Sequence, residues 1–250
     1  MISIVSLIYR SPMYADSIYN TVHEYTNIKD GEIEFFFVAN DPTDILLEHL
    51  KIKKYPYILN INEHKTEEEL FKEGIGWPEY LNRVYKGWNC AIRNAKDIVV
   101  LLNSDMILSP DWLDNLLKYL TEKIIICSQL IERNHETYGV FPGAIHGEFG
   151  GNPVNFNKDK FLKTCAIVKK DVIVPGGAYM PCMFYKKITD IIGFYPEGNL
   201  HDGTSFNVIK QYGDEAFFKK AKVCGIEHVT AMDSICYHFK EGEKEDSGWN

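Results

Sequence analysis

The chain has 250 residues, 45% hydrophobic and 25% charged, which is length and apolar content enough for one large α/β domain or two small ones. Its formal net charge of −8, with 35 acidic against 27 basic residues and no Lys/Arg block, excludes the electrostatic footprint of a nucleic-acid binder. No apolar run approaches the roughly 18–20 residues of a membrane span, and Met1–Tyr9 lacks the basic start and small-residue cleavage site of a signal peptide. Cys90, Cys127, Cys165, Cys182, Cys224 and Cys236 are scattered, form no C-x-x-C pair, and read as reduced core thiols of a cytoplasmic protein.

Ile2–Tyr9 is an apolar, β-branched run that reads as a strand, ended by Arg10-Ser-Pro12. Ile18, Val22 and Tyr25 follow at helical spacing, and Ile33–Ala39 is a second strand closed by the turn cluster Asn40-Asp-Pro-Thr-Asp44. A short helix over Thr43–Leu50 and a short strand over Tyr57–Ile61 come next. From Tyr80, the residues Leu81, Val84, Tyr85, Trp88, Ala91, Ile92 and Ala95 mark an amphipathic helix. It feeds Ile98-Val-Val-Leu-Leu102, a buried-strand pattern running into Asn103-Ser104-Asp105. Alternation of this kind predicts βαβ units and a largely parallel sheet.

The second half is less regular. Ser109 and Pro110 stand as N-cap and first residue of a helix carrying Trp112, Leu113, Leu116, Leu117 and Leu120, and Ile124–Cys127 reads as a strand. Glu132 to Lys160 is rich in Gly, and a loop of that length in a compact domain is usually functional. It and the tail from Lys240 are expected to be mobile without ligand and to order over it. Ala178–Tyr185 reads as a strand, Gly213–Cys224 as a helix with Asp214 and Glu215 in its first turn, and Ile235–Phe239 as a last strand carrying His238.

Ligands of open α/β sheets bind outside the carboxyl ends of the strands. Asp105 stands at such an end, where a carboxylate suits a divalent metal and a phosphate. Asn40 and Asp41 end the second strand, Asp214-Glu215 opens a late helix, and His238 lies on the last strand. Taken singly, each also fits a turn, a cap, a helix-dipole partner or a packed histidine. Their order sets them apart.

That order resembles the family 2 glycosyltransferases of GT-A fold over about residues 2 to 240. The pieces that carry the resemblance are Val38-Ala-Asn-Asp-Pro-Thr-Asp44, Trp88-Asn-Cys-Ala-Ile-Arg-Asn-Ala95, Ile98-Val-Val-Leu-Leu-Asn-Ser-Asp105 and Gly177-Ala-Tyr-Met-Pro181. Ile192-Gly-Phe-Tyr-Pro-Glu197, Gly213-Asp-Glu-Ala-Phe-Phe218 and Tyr237-His-Phe-Lys-Glu-Gly242 complete the set. The resemblance implies a single GT-A-type domain: a Rossmann-like, mostly parallel sheet flanked by helices, with a smaller mixed sheet on the acceptor side. Residues 1–105 would bind the nucleotide sugar, 106–240 would form the acceptor-binding and catalytic half, and 241–250 a polar tail. It further implies that Asn40, Asp41, Asn89, Asn103, Ser104 and Asp105 hold the donor, and that Asp105 and His238 hold Mn²⁺ or Mg²⁺. Glu215 would be the general base of an inverting transfer, with Asp214 left open for that role.

Two departures from the family stand out: Asn103 replaces the more usual Asp, and the acidic pair is Asp-Glu rather than Glu-Asp. The donor implied is a nucleotide-diphosphate sugar, UDP-linked in preference to GDP-linked, and the acceptor a glycan, glycoprotein or lipid-linked hydroxyl. A silent sugar- or nucleotide-binding module of the same fold is the competing reading. A nucleotidyltransferase would need a Gly-rich basic loop after the first strand, and Ile8-Tyr-Arg-Ser-Pro12 has none. Tyr138, Phe141, Phe149 and Tyr179 in the second half could stack on sugar faces or simply pack.

Overall fold

The apolar runs of the first half become parallel strands because both of their faces are covered; Val99 to Leu102, for example, are wholly buried. In the computed structural model the described residues are 1–28, 31–63, 67–72, 79–133, 141–197, 200–201, 209–211 and 213–240. The first half comprises β1 (Ile2–Ile8), α1 (Pro12–Tyr25), β2 (Ile33–Asn40), α2 (Asp44–Lys53), β3 (Tyr57–Asn60), α3 (Glu67–Lys72), α4 (Glu79–Asn94) and β4 (Ile98–Asn103). Local chemistry sets the helix ends. Ser11 accepts from the Tyr14 N–H before Pro12, and Thr43 accepts from the Leu46 N–H at 3.3 Å. Lys54, left-handed at φ 56°, closes α2.

The second half comprises β5 (Met106–Leu108), α5 (Trp112–Leu117), β6 (Ile124–Glu132), β7 (Ile145–His146), a 3₁₀ turn (Pro153–Asn155), α6 (Lys158–Val168), β8 (Ile173–Pro175) and β9 (Cys182–Tyr185). It continues through α7 (Ile188–Ile192), β10 (Leu200–His201), β11 (Ile209–Gln211), α8 (Gly213–Val223) and β12 (Glu227–His238). Among the described residues the main sheet runs β3-β2-β1-β4-β9-β6-β12-β5, with β7 beside β6 and β8 beside β12, and β10 and β11 form a separate pair. The block β3-β2-β1-β4 is parallel, and so is β6–β12. Strand β9 is antiparallel to both β4 and β6, so the mixed part expected as a smaller sheet continues the main one. No helix among the described residues is long and apolar enough to cross a membrane.

Several local expectations change. Ser109 is not a helix cap: its N–H donates to the Ile235 carbonyl at 3.0 Å, and its Oγ accepts from the Ile235 N–H. Helix α5 instead begins after Asp111, left-handed at φ 60°, with no side-chain cap bond. Strand β6 extends past Cys127 through buried polar residues, because Ser128 Oγ bonds Ser234 Oγ at 2.7 Å and Gln129 Nε2 donates to the Gly143 carbonyl at 3.0 Å. The last strand begins at Glu227, and a register shift between Ala231 and Ile235 interrupts it.

The described part of the Gly-rich run is anchored rather than standing as a flap. Phe149 is buried against Tyr237 and Phe161, with ring centroids 5.1 and 5.7 Å away, and α6 follows directly. Residues 134–140, which include Tyr138, and the tail 241–250 lie outside the described residues. All six cysteines are free thiols, but Cys224 is exposed and Cys90 half-buried, so only four of them are core residues.

Candidate active site

The first cluster forms where β2 and β3 end side by side. Asp41 sits in a left-handed turn at φ 49°, and its N–H donates to the Asn60 carbonyl at 2.9 Å. Asn40 Oδ1 accepts from Asn60 Nδ2 at 2.7 Å and from Asn62 Nδ2 at 3.0 Å, while its own Nδ2 donates to the Arg83 carbonyl at 3.2 Å. The Asp41 carboxylate accepts from the Asn62 N–H at 2.8 Å and Nδ2 at 2.9 Å, and faces the Arg83 guanidinium at 3.7 Å. The Asn40 amide thus ties the ends of β2 and β3 to α4, and the Asp41–Arg83 pair adds a charged contact beside it. Sequence reasoning missed Asn60, Asn62 and Arg83. The only signal was Asn-Ile-Asn at the end of a short strand, and Arg83 lies between the apolar positions of a helix, where nothing local marks it.

Helix α4 lies close on this cluster. A Cβ at Gly87 would stand 2.6 Å from Leu7 Cδ1 and 3.2 Å from the Asn40 side chain, so glycine is what lets the helix approach. Asn89, two residues on, donates to the Tyr195 carbonyl at 2.9 Å and to Glu197 Oε1 at 3.1 Å, and accepts from the Tyr195 N–H. It straps α4 to the segment before α8.

The second cluster arises from strand register. Asn103, half-buried, ends β4, and Ser104 and Asp105, both buried, turn the chain into β5. Strand β12 runs antiparallel to β5, with His238 opposite Met106, and parallel to β6, with His238 opposite Glu132. The Phe239 N–H donates to the Asp105 carbonyl at 3.0 Å. His238 therefore lies between two buried carboxylates: Nε2 is 3.1 Å from Asp105 Oδ2, and Nδ1 is 3.2 Å from both oxygens of Glu132. Burial alone would lower the imidazole pKa, but the charge and hydrogen bond of Asp105, then those of Glu132, overcome it and hold the pKa up to about 10. Glu132 had been read only as the first residue of a loop.

The third cluster is the N-terminus of α8, which packs on α4. A Cβ at Gly213 would meet the Tyr85 ring at 2.6 Å and the Pro196 carbonyl at 2.9 Å, so the helix starts against that ring. The Tyr85 hydroxyl lies 3.5 Å from Asp214 Oδ1, which also accepts from the Glu215 N–H at 2.8 Å. Burial is the main cause that raises the Asp214 carboxyl above its ordinary value. Glu215 is more exposed and pairs with Lys219 at 2.6 Å. Tyr179 stands near both: its hydroxyl is raised by burial and then by the charges of Asp214 and Glu215. Phe141 meets Tyr179 edge to face at 5.4 Å, whereas Phe149 belongs to the core. One helix thus serves two clusters, through Arg83 and through Tyr85.

No protein-family model matches the sequence, and no curated protein is significantly similar to it. In fold the chain is similar to TarS 1–349 of S. aureus, with a TM-score of 0.57 and 14% identity, over 95% of this chain and 60% of that one. It is similar in the same way to GalNAc-T7 with UDP, GalNAc and Mn²⁺ (TM-score 0.57, 12% identity, 95% and 43%). The mannosyltransferase PcManGT from Pyrobaculum calidifontis, in complex with GDP-Man and Mn²⁺, is a third (TM-score 0.54, 14% identity, 95% and 56%). TarS 1–349 has also been solved with UDP-GlcNAc. The chain has the GT-A-type fold of these proteins, and it spans between 43% and 60% of their length.

Proposed function

We propose that this chain is a divalent-metal-dependent, inverting glycosyltransferase that moves a sugar from a nucleotide-diphosphate donor to an acceptor hydroxyl. The observation that carries the reading is the meeting of Asp105 and His238 at the carboxyl end of β4. Asp105 Oδ2 and His238 Nε2 are 3.1 Å apart, close enough that both would hold one divalent cation once it displaced the imidazole proton between them. One carboxylate oxygen and one imidazole suit Mn²⁺ somewhat better than Mg²⁺. Among the described residues no group of three or more His, Cys, Asp and Glu side chains is arranged to enclose a metal by itself. A site completed by donor phosphates and water fits that arrangement. The cation would neutralise charge building on the leaving diphosphate.

The remaining work belongs to the chain. Asp41 and Arg83 hold the base and ribose, with Asn40, Asn60 and Asn62 fixing the shape of that pocket. Asn89, on the same helix as Arg83, ties α4 to the Tyr195–Glu197 segment on the donor's other side, and Asn103 and Ser104 line the turn that carries Asp105. Glu215, paired with Lys219 in the first turn of α8, takes the acceptor proton. The acceptor oxygen bonds the anomeric carbon from the face opposite the breaking bond to the diphosphate, which leaves with that electron pair. Asp214, held by Tyr85, steadies the first turn of α8. The donor is UDP-linked in preference to GDP-linked, and the acceptor is a glycan, glycoprotein or lipid-linked hydroxyl, with Tyr179 and Phe141 beside it.

A thermal-shift screen of UDP- and GDP-sugars with and without Mn²⁺ tests donor binding, because a ligand of the folded state raises Tm by mass action. Turnover of the sugar that binds is then followed with candidate acceptors. Metal-dependent stabilisation with no transfer to any acceptor or to water would make the chain a silent binding module instead.

A further inference from the structure

We infer that Glu132 is a positioning residue for the cation site: it grips the Nδ1 side of His238 so that Nε2 faces Asp105. This rests on the reading that Asp105 and His238 hold the metal. Glu132 ends β6 and is only 5% exposed, and a carboxylate is rarely left there without a partner. Both of its oxygens lie 3.2 Å from His238 Nδ1. Its backbone is pinned as well: the Gly147 N–H donates to its carbonyl at 2.9 Å, and the Arg133 N–H donates to the His238 carbonyl at 3.2 Å. The neighbouring cation, Arg133, is directed at Glu148, 3.5 Å away. Glu132 is thus held at the ring edge opposite Asp105, and parallel register places it there.

A metal-ligating histidine characteristically donates its other ring N–H to a carboxylate, which fixes both tautomer and ring orientation. With Nδ1–H committed to Glu132, Nε2 is the nitrogen that would exchange its proton for a cation held beside Asp105. Glu132 touches neither donor nor acceptor in this scheme; it acts through His238.

The test is Mn²⁺ binding to the full chain in the presence of UDP and, in parallel, GDP. Affinity is read from loss of the free-Mn²⁺ electron paramagnetic resonance signal, and histidine ligation from the ¹⁴N coupling in the spin-echo modulation. Glu132→Leu is expected to lower Mn²⁺ affinity about 10–100-fold and to abolish the ¹⁴N coupling. Glu132→Gln, whose amide oxygen still accepts from Nδ1–H, is expected to keep the coupling and most of the affinity. Glu132→Asp, one methylene short, decides the matter if the Leu variant does not fold, and it is expected to lose the coupling. Unchanged coupling and affinity in a folded Leu or Asp variant would overturn the role of Glu132 alone. Wild-type protein that binds no Mn²⁺, or binds it without ¹⁴N coupling, would instead overturn the metal reading beneath it.

Discussion

The polar cluster at the ends of β2 and β3 and the acidic pair on α8 are built in opposite ways. In the first, Asn40, Asp41, Asn60, Asn62 and Arg83 bond one another into a closed ring of partners. In the second, Glu215 is held by one residue of its own helix, and Asp214 by a long contact to Tyr85 and a backbone N–H. A closed network is preorganised and presents the same shape to ground state and transition state. Loosely held carboxylates are placed to change partners as charge moves. Damage to the first should therefore appear in binding, and damage to the second in rate.

The sharpest break would come from Glu215→Gln. Steady-state kinetics should show kcat lowered by roughly 10²–10⁴, the share a general base contributes, with donor KM little changed. Loss of turnover in Asp214→Asn with Glu215→Gln active would exchange the two roles.

Next in size is an acid-side loss of stability in the layer beneath the acidic pair. His228 lies under Tyr179 and Phe218, with its Nε2 3.0 Å from the Ala178 carbonyl, and burial lowers its pKa to about 4. Because the unfolded chain takes up that proton near pH 6.5, the contribution of His228 is complete above pH 6.5 and is lost as the pH drops toward 4, by up to about 3 kcal/mol. Urea unfolding across that range should show the slope, and His228→Leu should remove most of it.

Asp41→Ala addresses the pocket. It removes the carboxylate proposed to hold the ribose, and a hydrogen bond to a charged group is worth about 1.5–3 kcal/mol, so donor KM should rise about 10–100-fold while kcat falls less. An equal fall in kcat would erase the contrast between the two regions. The smallest effect is expected from Thr43→Ala, which strips the cap of α2 behind the pocket. Thermal unfolding should register a loss of about 1 kcal/mol, with donor KM unmoved.

The sequence made the first half of the fold readable because strands covered on both faces are continuous apolar runs. Ile98–Leu102 announces itself, and so does the helix carrying Trp88 and Ile92. The second half hides its longest strands behind buried polar residues. Ser128 and Gln129 interrupt β6, and Asp233 and Ser234 interrupt β12, though all four are buried. Asp105, Asp214, Glu215 and His238 were legible as residue types at strand and helix ends. Glu132, Asn62 and Arg83 were not, because they become partners only through register and helix docking, which no local pattern encodes.

Strand β9 has a mechanical consequence. It is the seam between two parallel plates, and among the described residues it pairs with β6 at Ile126–Met183 and Cys127–Cys182. A force pulling the plates apart would meet a two-rung ladder there, against seven rungs between β1 and β2. The lining of that seam is sulfur: Cys127, Cys182 and Met183 are wholly buried, and Cys182 Sγ lies 3.8 Å from Met180 Sδ. Such soft, polarizable atoms tolerate small displacements better than branched carbon side chains, so shear between the plates would concentrate along Cys182–Tyr185 and leave the ladder on either side intact.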